Sequence, residues 1–459
     1  MMRRIELRVI CVAAVAASCA PPPPVLLFVP PSVSVDSTAR ARRNVAVASV
    51  SRTFWEAMSG LDTGFVARHP VTTHQRAFAR ALGMIMSGQQ DEAAASLDSI
   101  MRSTSDTLVR TASRVLLTAM LQYGEKWKLL SELDPAQKVD ARIDSTGFID
   151  DRADVESWAS AFRTVAPRVI DVPLEPTVIP LTLSAVGTPM IPVSVNGKIR
   201  FLWLDTGSSM SILSSSVAAE SGVAPLLEDT LEIATTTGRV PAQPAAIDRL
   251  NIGGISITNS TAMIVASELM EVRPGEGSES PFPVRIDGVI GFDIISRLDI
   301  RIDYVNGRVT LLAPKPAPLG RGGRNLYWVG TPVVRMVTSK GIPLHFNLDT
   351  GAQETYSTDA LIAKTRVRTF AGERRLIGGF AGIRITRGRF VDELHVNTGG
   401  QAVLLRKLLV FAPAFSTFVG LDGVLGSDVG RSGVVRIDAT NGLFLLEPAP
   451  GAQGLRPVS

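Results

Sequence analysis

Cysteine is nearly absent from this sequence. Its 459 residues contain two, Cys11 and Cys19, both within the first 19 positions. Nothing after them can form an internal disulfide or a cysteine-ligated metal site. Histidine is almost as scarce, with four scattered copies and no His-Glu-x-x-His, which argues against a zinc hydrolase. A Gly-x-Ser-x-Gly elbow is missing, so the usual serine-hydrolase signature is missing too. Charge of one sign is also lacking. Lys and Arg outnumber Asp and Glu by only 47 to 43, with no basic run, so no nucleic-acid partner is expected. No segment offers 18 uncharged apolar residues in a row, so the chain does not read as multispanning.

The sequence is rich in apolar residues, at 45%, with Gly and Pro near average abundance, which fits two to four globular domains. At the amino end, Arg3, Arg4 and Arg8 precede the short apolar run Val9–Ala17. Residues 1–19 therefore read as an export signal. The stretch Val15-Ala16-Ala17-Ser18-Cys19 resembles a bacterial lipobox, with Ala16 where Leu is usual. The resemblance implies lipidation at Cys19 and an exported protein anchored to the cell envelope, facing the periplasm. An ordinary signal peptide would instead leave it soluble in the periplasm or secreted. Residues 20–50, with the Pro-rich stretch Pro21–Pro31, read as a tether.

Residues 51–167 carry a helical pattern. Phe78, Ala81, Leu82 and Ile85 recur at helical spacing, Gly88 interrupts them, and Leu97, Ile100 and Met101 resume the period. Asp106 is placed to cap a third helix. The stretch from Ala79 to Ala93 is similar to one tetratricopeptide-type hairpin, which is fewer than the three repeats a solenoid needs. A small helical cap and a surface for a protein partner both fit. After Pro167 short β-type runs alternate with Gly, Pro and Asn turns as far as Leu446. Residues 171–313 and 324–447 form two β-rich units, 314–323 a Pro/Gly linker, and 448–459 a tail.

The two units are copies of one another. Phe201-Leu202-Trp203-Leu204-Asp205-Thr206-Gly207-Ser208 matches His345-Phe346-Asn347-Leu348-Asp349-Thr350-Gly351-Ala352. Asp287-Gly288-Val289-Ile290-Gly291 returns as Asp422-Gly423-Val424-Leu425-Gly426. Arg301-Ile302-Asp303 before Asn306-Gly307 returns as Arg436-Ile437-Asp438 before Asn441-Gly442. One Asp-Thr-Gly is weak evidence, because a β-turn capped by Asp accounts for it. Three matched blocks in the same order, twice, mark duplicated lobes. Asp303 and Asp438 read as structural groups before hairpin turns, and Asp287 and Asp422 as turn or hydrogen-bonding residues.

On these motifs the chain resembles the bilobal aspartic proteases, and each half resembles the retropepsin-like domain. The expected fold is two all-β, barrel-like lobes behind an α-helical domain. The resemblance implies one catalytic carboxylate from each lobe, Asp205 and Asp349. Thr206 and Thr350 would tie the two loops together, and Gly207 and Gly351 would allow a tight turn. Two acids sharing one proton provide a base and an acid for activating water, with no metal or organic cofactor. Ser208, absent from the second copy, is placed to hydrogen-bond Asp205 and lower its pKa relative to Asp349. Gly238 and Phe380 lie at expected hairpin tips that would cover a peptide or unfolded-protein substrate. Neither tip has the Tyr of a pepsin-type flap. The expected activity is endopeptidase; the alternative is an inactive peptide-binding scaffold lipoprotein.

Overall fold

The computed structural model describes residues 33–40, 53–133, 142–143, 148–149, 155–272, 284–316, 323–373, 375–379, 382–413, 417–431 and 433–448. The signal segment with Cys19, the tip residue Phe380 and the tail beyond Pro448 lie outside them.

The helical region begins with Phe54–Ser59 and Phe65–Arg68 and continues as Thr73–Ser87, Gln90–Ser103, Thr107–Tyr123 and Trp127–Ser131. A capping box of Thr72 and Gln75 starts the first long helix, and Gly88, at φ +84°, stops it in a left-handed turn. Asp106 caps the third by accepting from the amides of Leu108 and Val109. That third helix is buried almost all round, from Val109 to Leu121. It lies between its helical neighbours and the β lobes, which a one-sided amphipathic pattern would not permit. Among the described residues no helix is long and apolar enough to cross a membrane.

Each β unit closes into a six-stranded barrel. In the first the ring runs Arg239–Ile252, Ile255–Val265, Ile212–Ser214, Gly288–Ile290, Lys198–Leu204 and Pro189–Val195, and Val195 pairs back to Leu250. In the second it runs Gln401–Val410, Tyr356–Ser357, Gly423–Leu425, Pro343–Leu348, Pro332–Thr338 and Arg389–Thr398. The segment read as a tether over residues 20–50 includes a strand. Val33–Arg40 pairs antiparallel with the outer edge of Gln401–Val410, covering backbone groups that would otherwise stand open.

A five-stranded antiparallel sheet joins the lobes, made mainly from the third duplicated block. Asp299–Asp303 of the first lobe pairs with Gly433–Asp438 of the second, with Ile300 opposite Ile437. This register sets Arg301 opposite Arg436, and each is neutralised separately. Arg436 forks onto both oxygens of Asp299, and Arg301 pairs with Glu447. Asp303 and Asp438 accept from the amides of Asn306 and Asn441, closing the hairpin turns as their sequence context suggested.

Candidate active site

The first motif strand, Lys198–Leu204, enters through an Asn196-Gly197 turn, both residues at positive φ. Its apolar end, Leu202-Trp203-Leu204, is buried, so the chain must turn at Asp205. The Val289-Ile290 segment lies parallel beside it, and the Asp205 amide donates to the Ile290 carbonyl at 3.0 Å. The second lobe repeats this with Val424-Leu425 beside Asn347-Leu348 and Asp349 N to Leu425 O at 2.9 Å.

The two loops lock reciprocally. Thr206 Oγ1 donates to the Leu348 carbonyl at 2.8 Å and accepts from the Thr350 amide at 3.0 Å. Thr350 Oγ1 donates to the Leu204 carbonyl at 2.5 Å and accepts from the Thr206 amide at 3.0 Å. All four bonds are buried and cross between lobes, so neither motif loop is complete without the other.

The glycines serve a different purpose from the one expected. Neither Gly207 nor Gly351 has positive φ, so turn conformation does not require them. A Cβ on Gly351 would stand 2.5 Å from Cγ of Asp205, and one on Gly207 would collide with Asp349 in the same way. Each glycine makes room for the opposite carboxyl. Those carboxyls then face one another across the interface between the two loops, and hydrogen bonding between them is one of the influences on their acidity.

Asp205 Oδ1 also accepts from the amides of Gly207 at 2.8 Å and Ser208 at 3.2 Å, and Asp349 Oδ1 accepts from Ala352 N at 2.9 Å. Burial pushes both carboxyls above the ordinary range. Asp349 is raised well above it because the Asp205 charge adds to burial. At Asp205 the bond from Asp349 and the surrounding amides oppose the burial effect. Burial of two acids so close together favours one proton held between them over two charges. The expected contribution of Ser208 is corrected in its atom: the hydroxyl donates to Met210 O at 2.6 Å, and the amide serves Asp205.

Thr235–Gly238 forms a hairpin tip, with Gly238 N donating to Thr235 Oγ1. Arg375–Gly379 and Gly382–Thr386 form the matching hairpin in the second lobe. The tips meet, since a Cβ at Gly379 would stand 2.6 Å from Thr237 Oγ1.

Two supporting pairs went unassigned in the sequence. Ser211 Oγ accepts from Gly291 N at 3.1 Å and donates to Asp293 at 3.0 Å. Thr355 Oγ1 accepts from Gly426 N at 3.0 Å and donates to Asp428 at 2.6 Å. Both pairs hold the neighbouring apolar-Gly segment against its motif loop. Their matched positions in the two copies were the signal that would have found them.

Residues 191–297 match the family model described as "gag-polyprotein putative aspartyl protease". Among solved structures, the chain is similar to an aspartic proteinase from Irpex lacteus, at 14% identity and TM-score 0.38, covering 61% of this chain and 100% of that one. It is also similar to a retropepsin-like aspartic protease from Rickettsia conorii, at 20% identity and TM-score 0.23, covering 30% and 100%. A comparison with curated proteins gave no match. The family match in the first lobe and the two closed barrels support a bilobal, retropepsin-like aspartic protease.

Proposed function

We propose that the chain is an aspartic endopeptidase whose dyad, Asp205 and Asp349, is completed within one molecule. The observation that carries this reading is that each carboxyl stands against the motif glycine of the other lobe, on loops held together by the reciprocal threonine bonds. Asp205, ionised, takes a proton from a water lying between the acids as that water attacks the scissile carbonyl carbon. Asp349 gives its proton to the carbonyl oxygen. The resulting gem-diol collapses as a proton passes to the leaving nitrogen, breaking the C–N bond and restoring one shared proton. The two hairpin tips would exclude bulk water over the bound peptide.

The test is Asp205→Asn and Asp349→Asn, made separately and assayed on a peptide library by mass spectrometry. Each should lose at least about a thousandfold in kcat, since general acid–base groups acting as a unit fail together. Wild-type rates in either variant would sink the shared dyad. Inhibition by a transition-state mimic separates this reading from a binding scaffold.

The reading extends to the amino end, where Cys19 would carry lipid and hold the enzyme at the cell envelope. Cys19→Ser should then move the protein from the membrane fraction to the soluble one.

A further inference from the structure

The helical region ends against the first motif loop, and one buried side chain joins them. Arg168 lies just beyond the last helix, Val155–Phe162, and its side chain is only 3% exposed. Its guanidinium donates to Asp293 Oδ2 at 2.7 Å and to the Asp293 carbonyl at 2.9 Å. It also reaches Thr261 on the barrel wall and lies 2.8 Å from Glu125 Oε1. Glu125 follows the C-terminus of Thr107–Tyr123 and is itself in the left-handed region, at φ +53°. Through Asp293 the arginine reaches Ser211, and through Ser211 the Gly291 amide, one residue beyond the carbonyl that receives the Asp205 amide.

The same helix end makes further contacts with both lobes. Gln122 reaches Ser209 Oγ, four residues past Asp205, at 3.4 Å. Arg297 of the first lobe donates to the Tyr123 carbonyl, left open at the helix end, and covers the Tyr123 ring. Trp328 of the second lobe donates to the Ala119 carbonyl at 2.9 Å and stacks on Phe292 of the first at 5.2 Å.

Among the described residues, the second lobe has no such arrangement. Asp428 stands where Asp293 does, bonded to its own hydroxyl partner, yet its Oδ2 is buried without a hydrogen-bond partner. Ser427, matching Phe292, puts a hydroxyl 3.3 Å from Gly187 O where the first lobe has a ring stacked on Trp328.

We propose that Arg168 is a positioning residue for the Asp205 loop, through which the helical region holds one half of the dyad in place. The proposal rests on the peptidase reading for its catalytic consequence, though not for its structural one. The helical region is then part of the enzyme's working geometry, whatever else its outer face binds.

The test uses the full chain with Arg168→Met. A misplaced acid should lower kcat by about tenfold or more and leave KM within about threefold, because peptide binding does not depend on Arg168. A general loss of folding would instead reduce the number of sites titrated by a tight inhibitor, with kcat per site unchanged. Hydrogen exchange provides a readout independent of activity. Segments 208–213 and 287–296 should exchange faster, while 352–357 and 422–430, outside the reciprocal threonine bonds, stay at wild-type rates. Equal change in both lobes, change in neither, or unaltered kcat per titrated site overturns the proposal. If Arg168→Met does not fold, Glu125→Gln carries the test, with a smaller kcat loss and the same one-lobe exchange pattern. A wild-type chain that neither cleaves peptides nor binds the inhibitor defeats the peptidase reading, and the exchange comparison still judges the clamp.

Discussion

Phe201 and His345 stand at the same place before the two motif aspartates, yet the phenylalanine is 49% exposed and the histidine 1%. Asp287 and Asp422 diverge likewise. The first is exposed, while the second is buried, accepting from the His345 amide and pairing with Lys364 at 2.8 Å. Nearer Asp205 and Asp349 the divergence disappears: Thr206 and Thr350, Gly207 and Gly351, and Ser211 and Thr355 do the same work at nearly the same distances. Each threonine and glycine of that inner set has its counterpart or the counterpart's loop as its partner, while Ser211 and Thr355 each hold the apolar-Gly segment of their own lobe. A change on one side would leave a buried group unpaired on the other. The outer positions face different surroundings, with the helical region against one lobe and an added strand on the other, so the two copies have separated there.

The strongest way to break this comparison is at the threonines. Thr206→Val or Thr350→Val removes a donor and an acceptor, stranding one carbonyl and one amide in the interface. At about 1–3 kcal/mol for each unsatisfied buried group, either variant should lose about 2–5 kcal/mol of unfolding free energy. The two losses should agree within about 1 kcal/mol by denaturant titration. A large effect from one threonine and none from the other would show that the lock is not reciprocal.

Next come the aspartates behind the loops, which should respond with opposite sign. Asp293→Asn takes a carboxylate from a buried arginine and should cost about 3 kcal/mol at neutral pH. Asp428 is held by Thr355 with the charge of Arg431 nearby, and burial outweighs both to lift its pKa to about 6. A carboxyl raised on folding stabilises most below its unfolded pKa near 3.8, and that contribution fades as pH rises through 6. The span corresponds to about 3 kcal/mol. Asp428→Asn should therefore be more stable than wild type at pH 7 and nearly equal to it at pH 4, whereas Asp293→Asn is the weaker protein at pH 7. A loss at pH 7 in both variants would mean that Asp428 has a partner of its own.

Much of this architecture is written in the chain because the lobes are copies. Asp-Thr-Gly alone is ambiguous, but repeated between matched blocks it identified the motif loops, their threonines and the hairpin aspartates Asp303 and Asp438. What could not be read there depends on contacts between segments distant in sequence. Arg168 lies beside Pro167, where the pattern changes from helix to strand, and nothing local marks it as the partner of residues 43 positions upstream and 125 downstream. Val33–Arg40 alternates weakly, with Val33, Val35 and Ala39 among polar residues, but what it pairs with is an open edge formed some 360 residues later, which no local pattern marks. Gly207 and Gly351 were recognisable, but the reason for them was not, since the atom each avoids comes from the other lobe.

His345 gives the smallest and most selective test. Both ring nitrogens are buried without hydrogen-bond partners, and burial, with the charges of Lys364 and Arg335, drives its pKa well below the ordinary value. The folded protein therefore keeps the ring neutral and leaves its polar atoms unsatisfied. His345→Leu, close in volume, should gain about 1 kcal/mol at pH 7.5, with imperfect packing offsetting part of the relief. The gain should grow on acidification. A group whose folded pKa is depressed costs stability once pH falls below its unfolded value, because only the unfolded chain takes up the proton. Each pH unit below about 6.5 should add about 1.4 kcal/mol to the advantage of the variant. Asp428 acts in the opposite direction, its contribution growing on acidification until about pH 4, so the second lobe holds two buried groups whose pH slopes partly cancel. Phe201, the counterpart of His345, does not titrate, and the counterpart of Asp428 is held by Arg168. Removing Asp428 alone should therefore steepen the loss of stability between about pH 6 and 4, and removing His345 alone should make it shallower. Wild-type slopes in both single variants over that window would move the pH sensitivity out of the second lobe.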